Sequence, residues 1–347
     1  MNKKYLLSNI IPSQDVDSIR TLVKQFDRST IISHVSPDGD AIGASLGLYH
    51  YLVKFGKMPD IVVPNGFPSF LFWMPGIDHV YTYTQSPDKV EILLSQADLI
   101  FVLDLNAVSR VEALGSMLIS SSAIKVMIDH HLYPEMFCQT IISHPEISST
   151  SELIFRLIYQ MSGVDSITKE MAVCIYTGMM TDTGGFTYNS NSVEIYRIIA
   201  ILIEVGIDKD EIYRNVYQNY TYERIRLQGY ILSQCMKKYD CYPMTLITLS
   251  KEEASKFNCQ KGDTEGFVNI PLSIKGNRLS VFMREDDDKI KISLRSSGTF
   301  PCNKLASKCF NGGGHLNASG GEFYGTMKDA VAKMEQFLSE FEEEFRK

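Results

Sequence analysis

Short, unbroken apolar runs recur through the first part of the chain, and polar residues close each of them. They are Thr30–Ser33, Ile61–Val63, Leu99–Leu103 and a fourth inside Lys125–His131, with Phe137–Ile142 as a candidate fifth. Continuous rather than alternating apolar character predicts strands of a parallel sheet covered on both faces. Ala41–Phe55 carries apolar residues at helical spacing and closes at Gly56. Ser149-Thr-Ser-Glu152 reads as a capping box opening a helix through about Met161, and a second helix runs from Thr168 towards Met180. That helix leads into a polar loop, Thr181-Asp-Thr-Gly-Gly-Phe186. Val193–Val205 is apolar nearly all round, which predicts burial, and Gly206 ends it. Asp208 with Glu211 opens another helix, and Thr221–Lys238 reads as one more, its basic residues a solvated face. Pro64–Pro75, with Trp73 and several Phe, reads as an apolar loop or flap that packs rather than stacks a base.

After Pro243 the pattern changes to strands at Thr245–Leu249, Ile270–Ile274, Leu279–Met283 and Ile290–Leu294, joined by turns at Lys275–Asn277 and Asp286–Asp288. The three aspartates of the second turn read as solvated turn residues. A short helix Asn303–Phe310, a glycine run Gly312–Gly314 and a closing helix Met327–Phe345 complete the chain. The predicted class is α/β. A mostly parallel, helix-flanked domain spans 1–206, a helical linker 207–241, and a smaller α/β domain with a mixed or antiparallel sheet 242–347.

The chain has 347 residues, enough for two cores. A net charge of -7 argues against a long duplex nucleic acid but leaves room for a small basic pocket. The seven cysteines contain no Cys-x-x-Cys pair, as expected of free thiols in a reducing cytoplasm. The apolar run after Lys3 and Lys4 is broken by Ser8, Asn9 and Pro12, so neither a signal peptide nor a membrane span is expected.

The strand ends hold the candidate chemistry. The first runs into His34-Val-Ser-Pro-Asp38-Gly-Asp40, the third ends at Asp104, and the fourth delivers Asp129, His130 and His131. Ligands bind at the carboxyl ends of strands in open parallel sheets, so these groups converge there. Taken singly, each has a plainer reading: Asp40 as a helix cap, Asp129–His131 as a polar loop, Asp182 as a turn residue. Together, with Asp182, they exceed the needs of one metal, and two metals sharing a bridging acid use them fully. Imidazole and carboxylate suit Mn²⁺ or Zn²⁺, and such pairs serve phosphoryl transfer. Glycines 312–314 free backbone N–H groups to approach an anion beside Arg295 and His315.

This set, in this order, resembles the DHH phosphoesterase superfamily. Arg295-Ser296-Ser297 and Gly312-Gly-Gly-His315-Leu-Asn-Ala318 are similar to its DHHA1 substrate domain. Length and two-part layout resemble the oligoribonuclease and pAp-phosphatase branch. The resemblance implies two divalent ions, Mn²⁺ above all, one held by His34, Asp38 and Asp104 and the other by Asp40, Asp104, His130 and Asp182. It implies a catalytic set of Asp104, His131 and Asp129, with Asp129 orienting an imidazole and His131 facing the scissile phosphate. Substrate contacts would come from His131, Arg295, Ser296, Gly313, Gly314 and His315. The implied substrates are short RNA oligomers, linear dinucleotides such as pApA, and pAp; a homodimer is compatible with this. The rivals are an exopolyphosphatase or pyrophosphatase and a regulatory nucleotide binder without turnover. The chain departs from the family at Leu132-Tyr-Pro134, where an Asn is usual, and at Asn311, where a fourth glycine is usual. Neither is a metal ligand; both bear on substrate preference.

Overall fold

The computed structural model describes residues 7–260 and 262–346. The chain divides into two compact units, Met1–Asn219 and Tyr220–Lys347. The segment 207–241 is therefore shared: its first helix belongs to the first unit and its second to the other.

In the first unit the elements follow as α1 (Ser13–Gln25), β1 (Arg28–Ile32), α2 (Gly39–Lys54), β2 (Met58–Val63), β3 (Val80–Thr82), α3 (Pro87–Gln96) and β4 (Leu99–Leu103). Then come α4 (Leu114–Ser120), β5 (Ile124–Asp129), β6 (Thr140–Ser143), α5 (Thr150–Ser162), α6 (Lys169–Asp182), α7 (Val193–Val205) and α8 (Lys209–Tyr217). All the strand pairs are parallel, in the order β3-β2-β1-β4-β5-β6. The order reverses at β1, which lies between β2 and β4, and such a switch point opens a crevice at the strand ends.

The unbroken apolar runs serve two cores. Leu99, Phe101 and Leu103 of β4 join Val126 and Ile128 of β5 on one face, packed on α2, α5 and α6. Ile100, Val102 and Met127 face the other way, towards α3 and α4. Alternate residues fill opposite cores, which is why no polar face is visible in the sequence.

Helices α2 and α6 approach closely at glycines. A Cβ on Gly43 would come within 2.7 Å of the Cys174 carbonyl oxygen and 2.8 Å of Gly178 N. This seam sets the N-terminal turn of α2 beside the C-terminal turn of α6. Helix α6 runs past Met180 to Asp182, because the Thr181 and Thr183 hydroxyls bond back to the Thr177 and Met179 carbonyls at 3.0 and 2.7 Å. Gly184 and Gly185, at positive φ, then turn the chain. The all-round burial expected of α7 is not found: Ile195, Ile198, Ile201 and Leu202 are buried, while Val193, Tyr196 and Ile203 face solvent. The 64–75 segment packs as a flap, with Leu71 and Met74 in the core and Trp73 half-buried against it.

The second unit runs α9 (Tyr222–Tyr230), β7 (Met236–Lys238), β8 (Met244–Leu249), α10 (Lys251–Ser255), β9 (Leu279–Glu285), β10 (Ile290–Ser296) and α11 (Cys302–Phe310). It ends with β11 (Gly313–Gly314), β12 (Ala318–Phe323), α12 (Met327–Leu338) and α13 (Glu342–Arg346). Its sheet, ordered β11-β12-β10-β9-β8-β7, is mixed: β8 and β9 are parallel and the other pairs antiparallel. Leu279, Val281, Ile292 and Leu294 pack on α11 and α12, and Ile247 and Phe282 pack beneath Leu227 and Phe267 on the opposite face.

Three expectations are corrected here. Ile270–Ile274 is not a strand but part of a 3₁₀ turn, Phe267–Ser273, since Pro271 offers no ladder donor and its carbonyl accepts from the Asn277 amide at 2.9 Å. The helix expected to reach Lys238 stops at Tyr230, passes through a π turn, and gives way to edge strand β7, whose Met236 pairs with Ile247. The closing helix is interrupted by a 3₁₀ turn at Ser339–Phe341. The aspartates of the 286–288 turn are surface groups, Asp286 pairing with Arg284 at 2.9 Å and Asp287 with Lys251.

Candidate metal centre

The loop after β1 carries His34 and Asp38, and the first turn of α2 carries Asp40; the residue after β4 is Asp104; β5 ends at Asp129 with His130 and His131 beyond it; and α6 ends at Asp182. The fold brings all eight together at the switch point of the sheet. Donor atoms of His34, Asp38 and Asp104 lie within 4.8 Å of one another, as do those of Asp40, His130 and Asp182 and those of Asp104, Asp129 and His131.

Asp104 stands between the groups. Its Oδ2 is 3.3 Å from His34 Nε2, while its Oδ1 is 3.6 Å from His130 Nε2 and 3.5 Å from His131 Nδ1. It holds φ 55°, the left-handed region that side chains other than glycine seldom adopt. The backbone there is tied down, Asp104 N donating to the Ile128 carbonyl at 3.1 Å. The guanidinium of Arg110 donates to Asn106 Oδ1 at 3.3 Å and reaches the Asp104 carbonyl at 3.5 Å.

Hydrogen bonds at the other ring nitrogen orient the imidazoles. His34 Nδ1 donates to the Val35 carbonyl at 2.8 Å and His130 Nδ1 to the Ile147 carbonyl at 3.2 Å. Each therefore turns Nε2 towards the carboxylates. Asp129, wholly buried, holds His131 twice, accepting from its backbone N–H at 2.9 Å and from Nδ1 at 2.8 Å.

The helix cap is Asp38, not Asp40, so the plainer reading of Asp40 as a cap does not hold. Asp38 is the N-cap of α2, accepting from the Asp40 and Ala41 N–H groups at 3.0 and 3.1 Å. Asp40 lies inside the first turn, and its buried carboxylate faces across to α5, accepting from Thr150 N at 2.7 Å and Ser151 N at 2.9 Å. The Thr150 hydroxyl donates to Asp104 Oδ1 at 2.9 Å. Thr150 and Ser151 thus serve the site, which reading them as helix-cap residues alone had missed. The available signal was a run of four hydroxyl residues, Ser148–Ser151, where one cap needs one.

The expected capping box is half formed. Ser149 accepts from Glu152 N at 3.0 Å, but the Glu152 carboxylate turns to Ser148 and to a buried pair with Arg156 at 2.7 Å. Arg156 continues to Glu194 of α7 at 2.9 Å, so the start of α5 is braced from below.

Charge is crowded here. Burial, then the Asp104 and Asp182 carboxylates, push the Asp40 carboxyl well above the usual range. Burial acts the same way on Asp104, but His34, His131 and His130 outweigh it and hold that carboxyl well below. Burial would lower the His130 imidazole, yet the facing Asp104, Asp40 and Asp129 raise it. Opposed nitrogen lone pairs and carboxylate oxygens, several of them out of water, form a donor set that fits divalent cations.

In the second unit, Arg295 and Ser296 end β10, and Gly313 and Gly314 form β11 beside β12. Ser296 Oγ donates to the Phe300 carbonyl at 2.7 Å and accepts from the Asn317 amide at 2.9 Å. His315 N donates to the Ala318 carbonyl at 2.8 Å, closing the turn that carries the imidazole. Two glycines of the run are needed for packing: a Cβ on Gly312 would overlap the Gly320 carbonyl, and Gly314 stands at φ 134° against Ala318. Gly313 alone of the three has open space above it.

The model of the DHH family, N-terminal domain, matches residues 28–179, and that of the DHHA1 domain matches residues 244–347. The bifunctional oligoribonuclease and PAP phosphatase NrnA of Thermus thermophilus is 31% identical, over 85% of this chain and 84% of its own length. The structure of an exopolyphosphatase-related protein from Bacteroides fragilis superposes with a TM-score of 0.94 at 55% identity, covering 98% of this chain and 100% of that one. RecJ from Thermus thermophilus, in complex with Mn²⁺, shares the fold at a TM-score of 0.56 and 11% identity, covering 96% of this chain and 56% of its own.

Proposed function

The chain belongs to the DHH family and is a phosphoesterase; from that premise we propose that it cleaves very short RNA oligomers and linear dinucleotides such as pApA, and removes phosphate from pAp, with two Mn²⁺ ions. The observation that carries the proposal is Asp104, whose two carboxylate oxygens face different imidazoles, so that one acid serves two donor groups. His34, Asp38 and Asp104 would hold one cation; Asp40, Asp104, His130 and Asp182 would hold the other. When bound, the pair supplies positive charge at the attacking and leaving oxygens and acidifies a water.

The chain's own residues do the rest. Val35 and Ile147 carbonyls keep two imidazoles in the ligand tautomer, and Asp129 fixes the His131 ring, which on this reading would face the scissile phosphate. In the second unit, Arg295, Ser296, Gly313, Gly314 and His315 would bind a phosphate or terminal nucleoside of the substrate. The T. thermophilus relative's name supports the nucleotide substrates, and the Mn²⁺ of RecJ supports the metal. No helix among the described residues is long and apolar enough to cross a membrane, and the proposed place of action is the cytoplasm.

A timed chromatographic assay of pApA hydrolysis with Mn²⁺ tests this, with Asp104→Ala as control. AMP release by the native protein alone is expected; inactivity of the Mn²⁺-loaded protein on every short phosphodiester overturns it. The similarity to an exopolyphosphatase-related protein favours a second reading, polyphosphate hydrolysis. That reading requires turnover of inorganic polyphosphate with no dependence on base or ribose.

A further inference from the structure

We propose that Thr150 is a positioning residue for the bridging carboxylate, fixing which oxygen of Asp104 serves which cation. The proposal rests on the two-metal reading above and concerns a residue outside the ligand set.

Thr150 is fully buried at the first turn of α5, and its two donors act on two different acids. The backbone N–H binds Asp40 Oδ2 at 2.7 Å, and the hydroxyl binds Asp104 Oδ1 at 2.9 Å. A carboxylate attached through one flexible bond can rotate and exchange its oxygens. The hydroxyl opposes that rotation, because only Oδ1 lies in its reach while Oδ2 faces His34. Oδ1 keeps acceptor capacity after taking one hydrogen bond, since each carboxylate oxygen offers about two lone-pair sites.

The mount itself is rigid. Gly178 of α6 sits so close that a Cβ there would overlap the Ser151 hydroxyl, and the buried Glu152–Arg156 pair holds the next turn. A movement of α5 would therefore carry Asp40 and Asp104 together. The geometry makes Thr150 the joint through which α5 sets the spacing of the two donor groups.

The test is calorimetric titration of the metal-free full chain with Mn²⁺, comparing Thr150→Val, Thr150→Ser and the native protein. Val matches the shape of Thr without its hydroxyl; Ser keeps the hydroxyl. For Thr150→Val, one of two binding steps weakens by roughly 10-fold or more, the range seen when a ligand's hydrogen-bond partner is lost. Thr150→Ser restores it, and the unfolding temperature of the metal-free Ser and Val proteins stays comparable. Two native-like binding steps in Thr150→Val overturn the proposal, as does equal weakening in both variants. Failure of the native protein itself to bind two Mn²⁺ would instead remove the two-metal reading.

Discussion

His34 Nε2 faces Asp104 Oδ2 across 3.3 Å, with the other nitrogen of the ring already committed to the Val35 carbonyl. A lone pair opposite a carboxylate oxygen needs a proton or a cation between them. His34→Leu removes the ring nitrogen and its lone pair and leaves an apolar side chain in the buried position. Mn²⁺ affinity and pApA turnover should each fall at least ~100-fold, exceeding the loss caused by removing a ligand's partner. Calorimetry and the chromatographic assay check both.

The raised imidazole of His130 gives the metal-free protein a particular pH dependence. A histidine that binds its proton more tightly when folded adds stability in full below its ordinary value of 6.5. That contribution disappears as pH rises through the raised value. Without metal, the thermal midpoint should fall as pH rises from the ordinary 6.5 through the raised value, and less so in His130→Asn. Asp40, raised by burial and its neighbouring acids, acts in the same direction. Mn²⁺ competes with the same protons, so its affinity should rise over that interval. A midpoint indifferent to pH, equal in the two proteins, contradicts the assignment.

Gly43→Ala places a methyl group against the backbone of α6, where neither side can turn away. The expected cost is ~1–3 kcal/mol in chemical unfolding. Because the seam aligns Asp40 with Asp182, Mn²⁺ affinity should drop as well. Gly56→Ala, at a turn with open space beside it, serves as a control for stability loss without a change in metal binding.

Arg156→Met leaves the Glu152 carboxylate buried without its guanidinium. Loss of one member of such a pair costs ~3–5 kcal/mol, and denaturant unfolding measures it. The double variant Arg156→Met, Glu152→Leu should recover much of that loss, since the charge left behind causes most of it.

The ends of β1, β4 and β5 were legible in the sequence because a doubly covered parallel strand must be an apolar run, and its polar successor must lie at the rim. The same logic failed where apolar residues serve other shapes. Ile270–Ile274 is a run of the right length, but Pro271 makes it a turn. Strand β12, Ala318–Phe323, hides behind its glycines, one of which lies against the Phe310 carbonyl, where a Cβ would come within 2.6 Å. Three-residue edge strands β3 and β7 bury too little to leave a pattern. Among the site residues, the acids and imidazoles stand out by their chemistry, whereas Thr150 and Ser151 look like ordinary cap residues. Their contacts with Asp40 and Asp104 span 46 to 111 positions of chain, a relation that only the tertiary structure creates.

The left-handed backbone at Asp104 has a consequence for how such a chain changes over generations. Glycine would hold that conformation with less strain, and it would also remove a negative charge from a crowd of buried acids. On the proposed reading, one substitution there would relax the backbone and silence the site together, so strain and service are joined in a single residue.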